Sequence, residues 1–145
     1  MDLSSIKVVA LDVYGTMIAN EDHQGEFPFR KGLDKFLETC KNRGIDLCAV
    51  SDRDIELANI DLCDSGVDLE YFNGMIFRLG RLGEPKNLRR VLSTFMIEPN
   101  KLLFIGDDYD TDIVPAKEIG CKFYQIPEYI NGRNNGFDIN DMVHL

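Results

Sequence analysis

Asp12 closes an apolar run, Val8 to Leu11, and the turn that follows it holds Tyr14, Gly15 and Thr16. A carboxylate at the C-terminal tip of a buried parallel strand lies in the crevice where open α/β sheets bind ligands, so its placement suggests a reactive group. Ser51 and Asp52 follow a second apolar run in the same way. A third run, Leu102 to Ile105, leads into GDDYDTD, which puts Asp107, Asp108, Asp110 and Asp112 within six residues. Like charges packed so tightly are costly unless a cation or solvent offsets them. Magnesium suits such a site, because it is a hard octahedral ion that takes one or two carboxylates and keeps room for a phosphate oxygen. The other reading is a solvated acidic turn capping the next helix. Asp12, projected onto the same sheet edge, favours the metal.

The elements that must position these residues alternate along the chain. Ile6 to Leu11 reads as a buried central strand, and Arg30 to Arg43 as a helix with Leu33, Phe36, Leu37 and Cys40 at helical spacing, stopping at Gly44. Asp46 to Val50 is the next strand and Asp52 to Cys63 a second helix. Tyr71 to Leu79, with Gly74 inside it, is an ambiguous strand. A third helix runs from Pro85 to about Phe95, then strand Leu102 to Ile105, a helix Thr111 to Ile119 broken early by Pro115, and strand Lys122 to Ile126. From about residue 127 to 145, with Asn131, Gly132, Asn134, Asn135 and Gly136, the chain reads as loop with a short terminal turn. The order predicts a single domain over residues 1–145: a three-layer, doubly wound, Rossmann-like parallel sheet of the α/β class. The three polar junctions then meet on one edge.

The chain of 145 residues, 44% hydrophobic, can bury one proper core but not two. A net charge of −9 opposes non-specific binding to nucleic acid or an anionic membrane. The longest apolar stretches are strand-sized and no secretory signal is visible, which predicts a cytoplasmic protein. Cys40, Cys48, Cys63 and Cys121 lack any C-x-x-C pairing and read as buried small hydrophobes.

With these motifs in order, the sequence resembles the haloacid dehalogenase superfamily over almost its whole length. The nucleophilic Asp followed by x-Asp-x-Thr is matched by Asp12 to Thr16, with Tyr14 at the second acid. Ser51 in CAVSD matches the Ser or Thr ending the second strand, and Lys86 in GEPKNLRRVL the Lys opening a later helix. Gly106, Asp107 and Asp112 match G-D-x-x-x-x-D. The resemblance implies a magnesium-dependent phosphatase in which Asp12 attacks phosphorus and forms an aspartyl-phosphate. It places Thr16, Ser51, Asp52 and Lys86 against the substrate. It gives magnesium to Asp12, the backbone carbonyl of Tyr14, Asp107 and Asp112, with Asp108 as a further candidate. Ser51 as a helix N-cap and Lys86 as a solvated first-turn lysine are the ordinary alternatives, and Arg81 is the fallback cation.

Tyr14 departs from the family pattern. An Asp there protonates the leaving oxygen and then deprotonates water, whereas Tyr, with a pKa of about 10, is a poor base near neutral pH. Slow turnover is therefore expected, with Asp108, Asp110 or His23 as substitute bases. The Asp-x-Tyr-Gly-Thr turn is also that of the hydrolytic dehalogenases, but those need no magnesium and lack the full acidic motif. Residues 13–50 and 52–85 are each too few for a large cap, so a capless member is expected, closed by its substrate, by a partner or by the loop Met17 to Phe29. Aromatics of Gly25 to Phe29 could stand at its mouth, or lead into the first helix. The substrate is phosphorylated, small or macromolecular; neither its identity nor the oligomeric state is readable. A non-catalytic phosphate- or partner-binding domain is the alternative from another class.

Overall fold

The computed structural model describes residues 1–20, 28–77, 84–130 and 137–144. Strands β1 (Val8–Asp12), β2 (Asp46–Val50), β3 (Gly74–Ile76), β4 (Leu102–Gly106) and β5 (Lys122–Gln125) form one parallel sheet in the order β3-β2-β1-β4-β5. β1 and β4 are buried along their whole length, which is why they read as unbroken apolar runs rather than as alternating ones. Strand β3 is shorter than the Tyr71 to Leu79 stretch allowed, and residues 78–83 lie outside the described residues.

Helices α1 (Leu33–Asn42) and α2 (Ile55–Asp64) cover one face of the sheet; α3 (Arg89–Phe95) and α4 (Val114–Ile119) cover the other. Leu33, Phe36, Leu37 and Cys40 are the buried stripe of α1 and pack with Val9, Leu11, Leu47 and Leu103. Val8, Ala10, Cys48, Val50 and Phe104 point the opposite way, towards Leu88, Val91 and Ala116. Because strand side chains alternate faces, each central strand feeds both cores. The expected three-layer, doubly wound sheet is present, with no cap domain among the described residues. No described helix is long and apolar enough to cross a membrane.

Four boundaries differ from the sequence reading, the first being that α3 begins at Arg89 rather than just after Pro85, so Lys86 precedes the helix instead of opening it. Helix α1 begins at Leu33 rather than Arg30, because Gly32 adopts a left-handed φ of 80° and Arg30 is consumed elsewhere. Pro115 does not break α4: it sits in the first turn, where its missing N–H is not needed, and a π-helical turn over Tyr109–Ile113 precedes it. Helix α2 starts at Ile55, capped by the Asp54 carboxylate accepting from the Glu56 amide, so Ser51 is not its N-cap. Cys63 is exposed, while Cys40, Cys48 and Cys121 are buried as expected. A 3₁₀ turn over Ile139–His144 closes the chain, and Ile139 and Met142 join the core beneath α1.

Candidate active site

β1 lies between β2 and β4 at the point where strand order reverses, so the C-terminal tips of all three open onto one edge. Asp12 ends β1, Ser51 follows β2 and Asp107 follows β4. A cleft of about 240 Å³ lies there, lined by Asp12, Tyr14, Asn20, Asp52, Arg53, Lys86, Asp107, Asp108, Thr111, Asp112 and Glu128.

Two glycines allow the carboxylates to converge. Gly15 has a φ of 82°, and a Cβ on it would stand 2.5 Å from Asp107 Oδ2. A Cβ on Gly106 would stand 2.5 Å from Asp112 Oδ2. With both positions bare, Asp12, Asp107 and Asp112 each bring a carboxylate oxygen within 4.8 Å of the others. The Thr16 hydroxyl sits between two of them, 3.2 Å from Asp12 Oδ2 and 3.0 Å from Asp107 Oδ1, and its single proton can serve one at a time. Thr16 is wholly buried, so it orders carboxylates rather than meeting the open cleft.

Lys86 answers this charge. Its Nζ lies 2.5 Å from Asp112 Oδ1 and 3.3 Å from Asp12 Oδ1, and its side chain is almost fully buried, so it is not a solvated lysine. Its backbone N–H also donates to the Thr111 carbonyl, which fixes the segment before α3 to the acidic turn. Burial works against the ammonium, but the charges of Asp12 and Asp112 outweigh it and raise its pKa. Burial raises the Asp12 carboxyl well above its ordinary value, with Lys86 opposing and Asp107 adding to the rise. Asp107 and Asp112 are also raised, chiefly by burial. One ammonium is therefore too little for two buried carboxylates and a half-buried third, and a divalent cation fits the remaining deficit.

The other expected residues are placed less centrally. Asp108 is exposed; its carboxylate accepts from the Thr111 amide and its own amide donates to Asp112 Oδ2, outside the carboxylate group. Asp110 is exposed and does not line the cleft. Ser51 is buried, its amide donating to the Ile76 carbonyl and its Oγ accepting from the Arg53 amide. Asp52 lines the cleft. Phe29 packs against the core and is not a wall of the site. His23, Arg81 and residues 25–27 lie outside the described residues.

Tyr14 lines the cleft, but its hydroxyl donates at 2.5 Å to Asp61 of α2, a buried carboxylate. Burial first, then this bond and the Asp61 charge, raise the phenol pKa further. The proton that might serve a leaving group is held towards Asp61 instead.

Sequence reasoning missed four participants. Asp61 carried no signal, since a carboxylate inside an apolar helix reads as a solvated position. Arg53 stacks on Tyr14, its guanidinium carbon 4.2 Å from the ring centroid. Glu128, just past β5, accepts from Asn20 Nδ2 at 2.8 Å, and its place after a strand could have pointed to it. Arg30 is fully buried and donates to the carbonyls of Thr16 (2.6 Å), Gly15 (2.9 Å) and Pro127.

A family model described as haloacid dehalogenase-like hydrolase matches residues 23–120. The chain belongs to this family. The matched stretch holds Ser51, Lys86, Asp107 and Asp112, while the Asp12 turn precedes it. Comparison with curated protein sequences finds no match. Among solved structures, this hydrolase resembles one described as a predicted phosphoglycolate phosphatase from Haemophilus somnus 129PT (TM-score 0.73, 14% identity, 97% of each chain covered). It also resembles a HAD-superfamily hydrolase from Ehrlichia chaffeensis (0.72, 19%, 96% of each). CbbY from Rhodobacter sphaeroides, solved with xylulose-1,5-bisphosphate, aligns at 0.69 with 14% identity over 92% of each chain. At these identities the likeness is one of fold.

Proposed function

We propose that this hydrolase is a magnesium-dependent phosphohydrolase that works through an aspartyl-phosphate on Asp12, with slow turnover. The observation that carries the reading is the convergence of buried Asp12 and Asp112 with half-buried Asp107, where a single ammonium from Lys86 pairs only the first two. Asp107 and Asp112, with one oxygen of Asp12 and the Tyr14 backbone carbonyl, are the candidate ligands, and Asp108 is left to its cap. When bound, magnesium would neutralise charge on the transferring phosphoryl group.

An Asp12 oxygen attacks phosphorus as the ester P–O bond breaks. Lys86 orients the nucleophile and pairs with a phosphate oxygen; Asp52 borders the substrate on the β2 side, and the buried Ser51 fixes the backbone beneath it. The leaving oxygen takes its proton from solvent, because the Tyr14 proton is directed at Asp61. Water then attacks the acyl phosphate, the bond from Asp12 to phosphorus breaks, and inorganic phosphate leaves. Tyr14 supplies no base for this second step, so esters with good leaving groups are favoured and the phospho-enzyme accumulates. Substrates of this kind resemble the phosphorylated ligand solved in CbbY only in class.

The test is hydrolysis of an aryl phosphate, and chloride release from 2-chloropropionate, each with and without magnesium and each compared with Asp12→Asn. Magnesium-dependent phosphate release that the variant loses supports the proposal. Metal-independent chloride release would instead assign a dehalogenase. The locked Tyr14 hydroxyl favours a second reading, a phosphate-binding domain without turnover, for which magnesium binding with silence in both assays is the expected result.

A further inference from the structure

We propose that Arg53 forms a second anion site in the cleft, selecting phosphate esters whose leaving group carries another carboxylate or phosphate; this rests on the phosphohydrolase reading. The cleft has two cations among its described lining residues. Lys86, paired with Asp12 and Asp112, serves the reacting phosphate. Arg53 makes no hydrogen bond or ion pair through its guanidinium among the described residues; it stacks on the face of Tyr14, 4.2 Å from guanidinium carbon to ring centroid.

Three features hold that guanidinium ready. Ser51 Oγ accepts the Arg53 amide at 3.1 Å, which fixes the backbone at the end of β2. The Tyr14 ring forms a flat seat beneath the side chain, and cation–π stacking of this kind leaves the N–H edge of arginine available to a ligand. The ring is itself anchored, because its hydroxyl is bonded to Asp61 of α2. Tyr14, lost to acid–base work, thus becomes the support of a recognition residue. A planar fork of N–H donors matches carboxylate and phosphate oxygens pairwise. Arg53 and Lys86 line one cleft, so a single ester can present its reacting phosphate to the first motif and its second anion to Arg53.

The experiment compares kcat/KM for phenyl phosphate with that for 3- and 4-carboxyphenyl phosphate and resorcinol bisphosphate, with magnesium. The anionic esters are expected to be favoured at least tenfold, the carboxylate and phosphate arms showing which group is preferred. Arg53→Met is expected to bring the ratio towards one. Tyr14→Phe, which keeps the ring, is expected to preserve it, and Tyr14→Leu to reduce it. No preference in the wild-type chain, or one that survives Arg53→Met, overturns the proposal. Dissociation constants of phenylphosphonate and its carboxylated analogue report without turnover. Equal binding with active hydrolysis removes the Arg53 site and leaves the phosphohydrolase. Selective binding lost in Arg53→Met, with no hydrolysis, leaves the site and removes the enzyme. Neither binding nor hydrolysis removes both.

Discussion

Tyr14 shows how one side chain can forfeit a role and take another. Its hydroxyl points its proton at Asp61, so any acid catalysis at the leaving oxygen needs that bond broken first. Tyr14→Asp puts a short carboxyl in its place and is expected to raise the hydrolysis rate, by up to the roughly 10²–10⁴-fold that a positioned acid–base group supplies. Acid quenching should then trap less phospho-Asp12; a folded variant with unchanged turnover would sink the account. At Lys86 the expectation is structural as well as catalytic. Lys86→Met leaves Asp12 and Asp112 buried without their partner, and breaking such a pair costs about 3–5 kcal/mol. Urea unfolding without metal measures it, and a loss under 1 kcal/mol would count against the ion pair. Asp12, Asp107, Asp112, Ser51 and Lys86 were legible because each follows or precedes an element boundary in a recurring order. Asp61 and Arg30 were not, since nothing local distinguishes a buried charge from a solvated one.

At the scale of elements, the central strands and α1 were readable because their apolar periods are undisturbed by function. The start of α1 was not. Arg30 fits a helical pattern by composition, and only the carbonyls of Gly15, Thr16 and Pro127, distant in sequence, draw it out of one. The π-helical turn after β4 was likewise hidden, because within it the Asp108 carboxylate accepts from the Thr111 amide and the Asp112 carboxylate from the Asp108 amide. Gly15 joins two elements through an absent side chain. Gly15→Ala must place a methyl against Asp107 at a left-handed φ, a strain of about 1–3 kcal/mol, and should also push the first motif and β4 apart. Weaker magnesium binding by calorimetry, beyond the loss of stability, is the expected signature; unaltered affinity would show that the two turns adjust independently.

For the whole molecule, the proposed cation site exists only when β1 and β4 are paired, so folding and magnesium binding would be one equilibrium. Magnesium at about 100 times its dissociation constant should stabilise the native state by roughly 2.7 kcal/mol. Differential scanning calorimetry should show the midpoint rising with magnesium, and Asp107→Asn with Asp112→Asn should abolish the rise. Alkali acts through a different set of groups. Burial pushes Cys40, Cys48 and Cys121 up to about 12 from an ordinary 9.0. Above pH 9 the unfolded chain sheds thiol protons that the native chain retains. Their contribution is therefore complete below pH 9 and declines towards pH 12, by about 1.4 kcal/mol per pH unit for each thiol. Urea midpoints between pH 8 and 10.5 should fall, and fall less when the three are replaced by Ala; equal slopes would argue against the effect.

The Arg30 clamp also bears on motion. Arg30 ties the turn after β1 to Pro127, the Tyr129 amide donates to the Gly15 carbonyl, and the Asn20 amide donates to the Tyr129 carbonyl. Segments more than a hundred residues apart in sequence therefore open as one cooperative unit. Amide hydrogen exchange at Asn20 and Tyr129 should follow a common rate, quickened in both by Arg30→Met, so that fraying behind the last strand exposes the turn that follows Asp12.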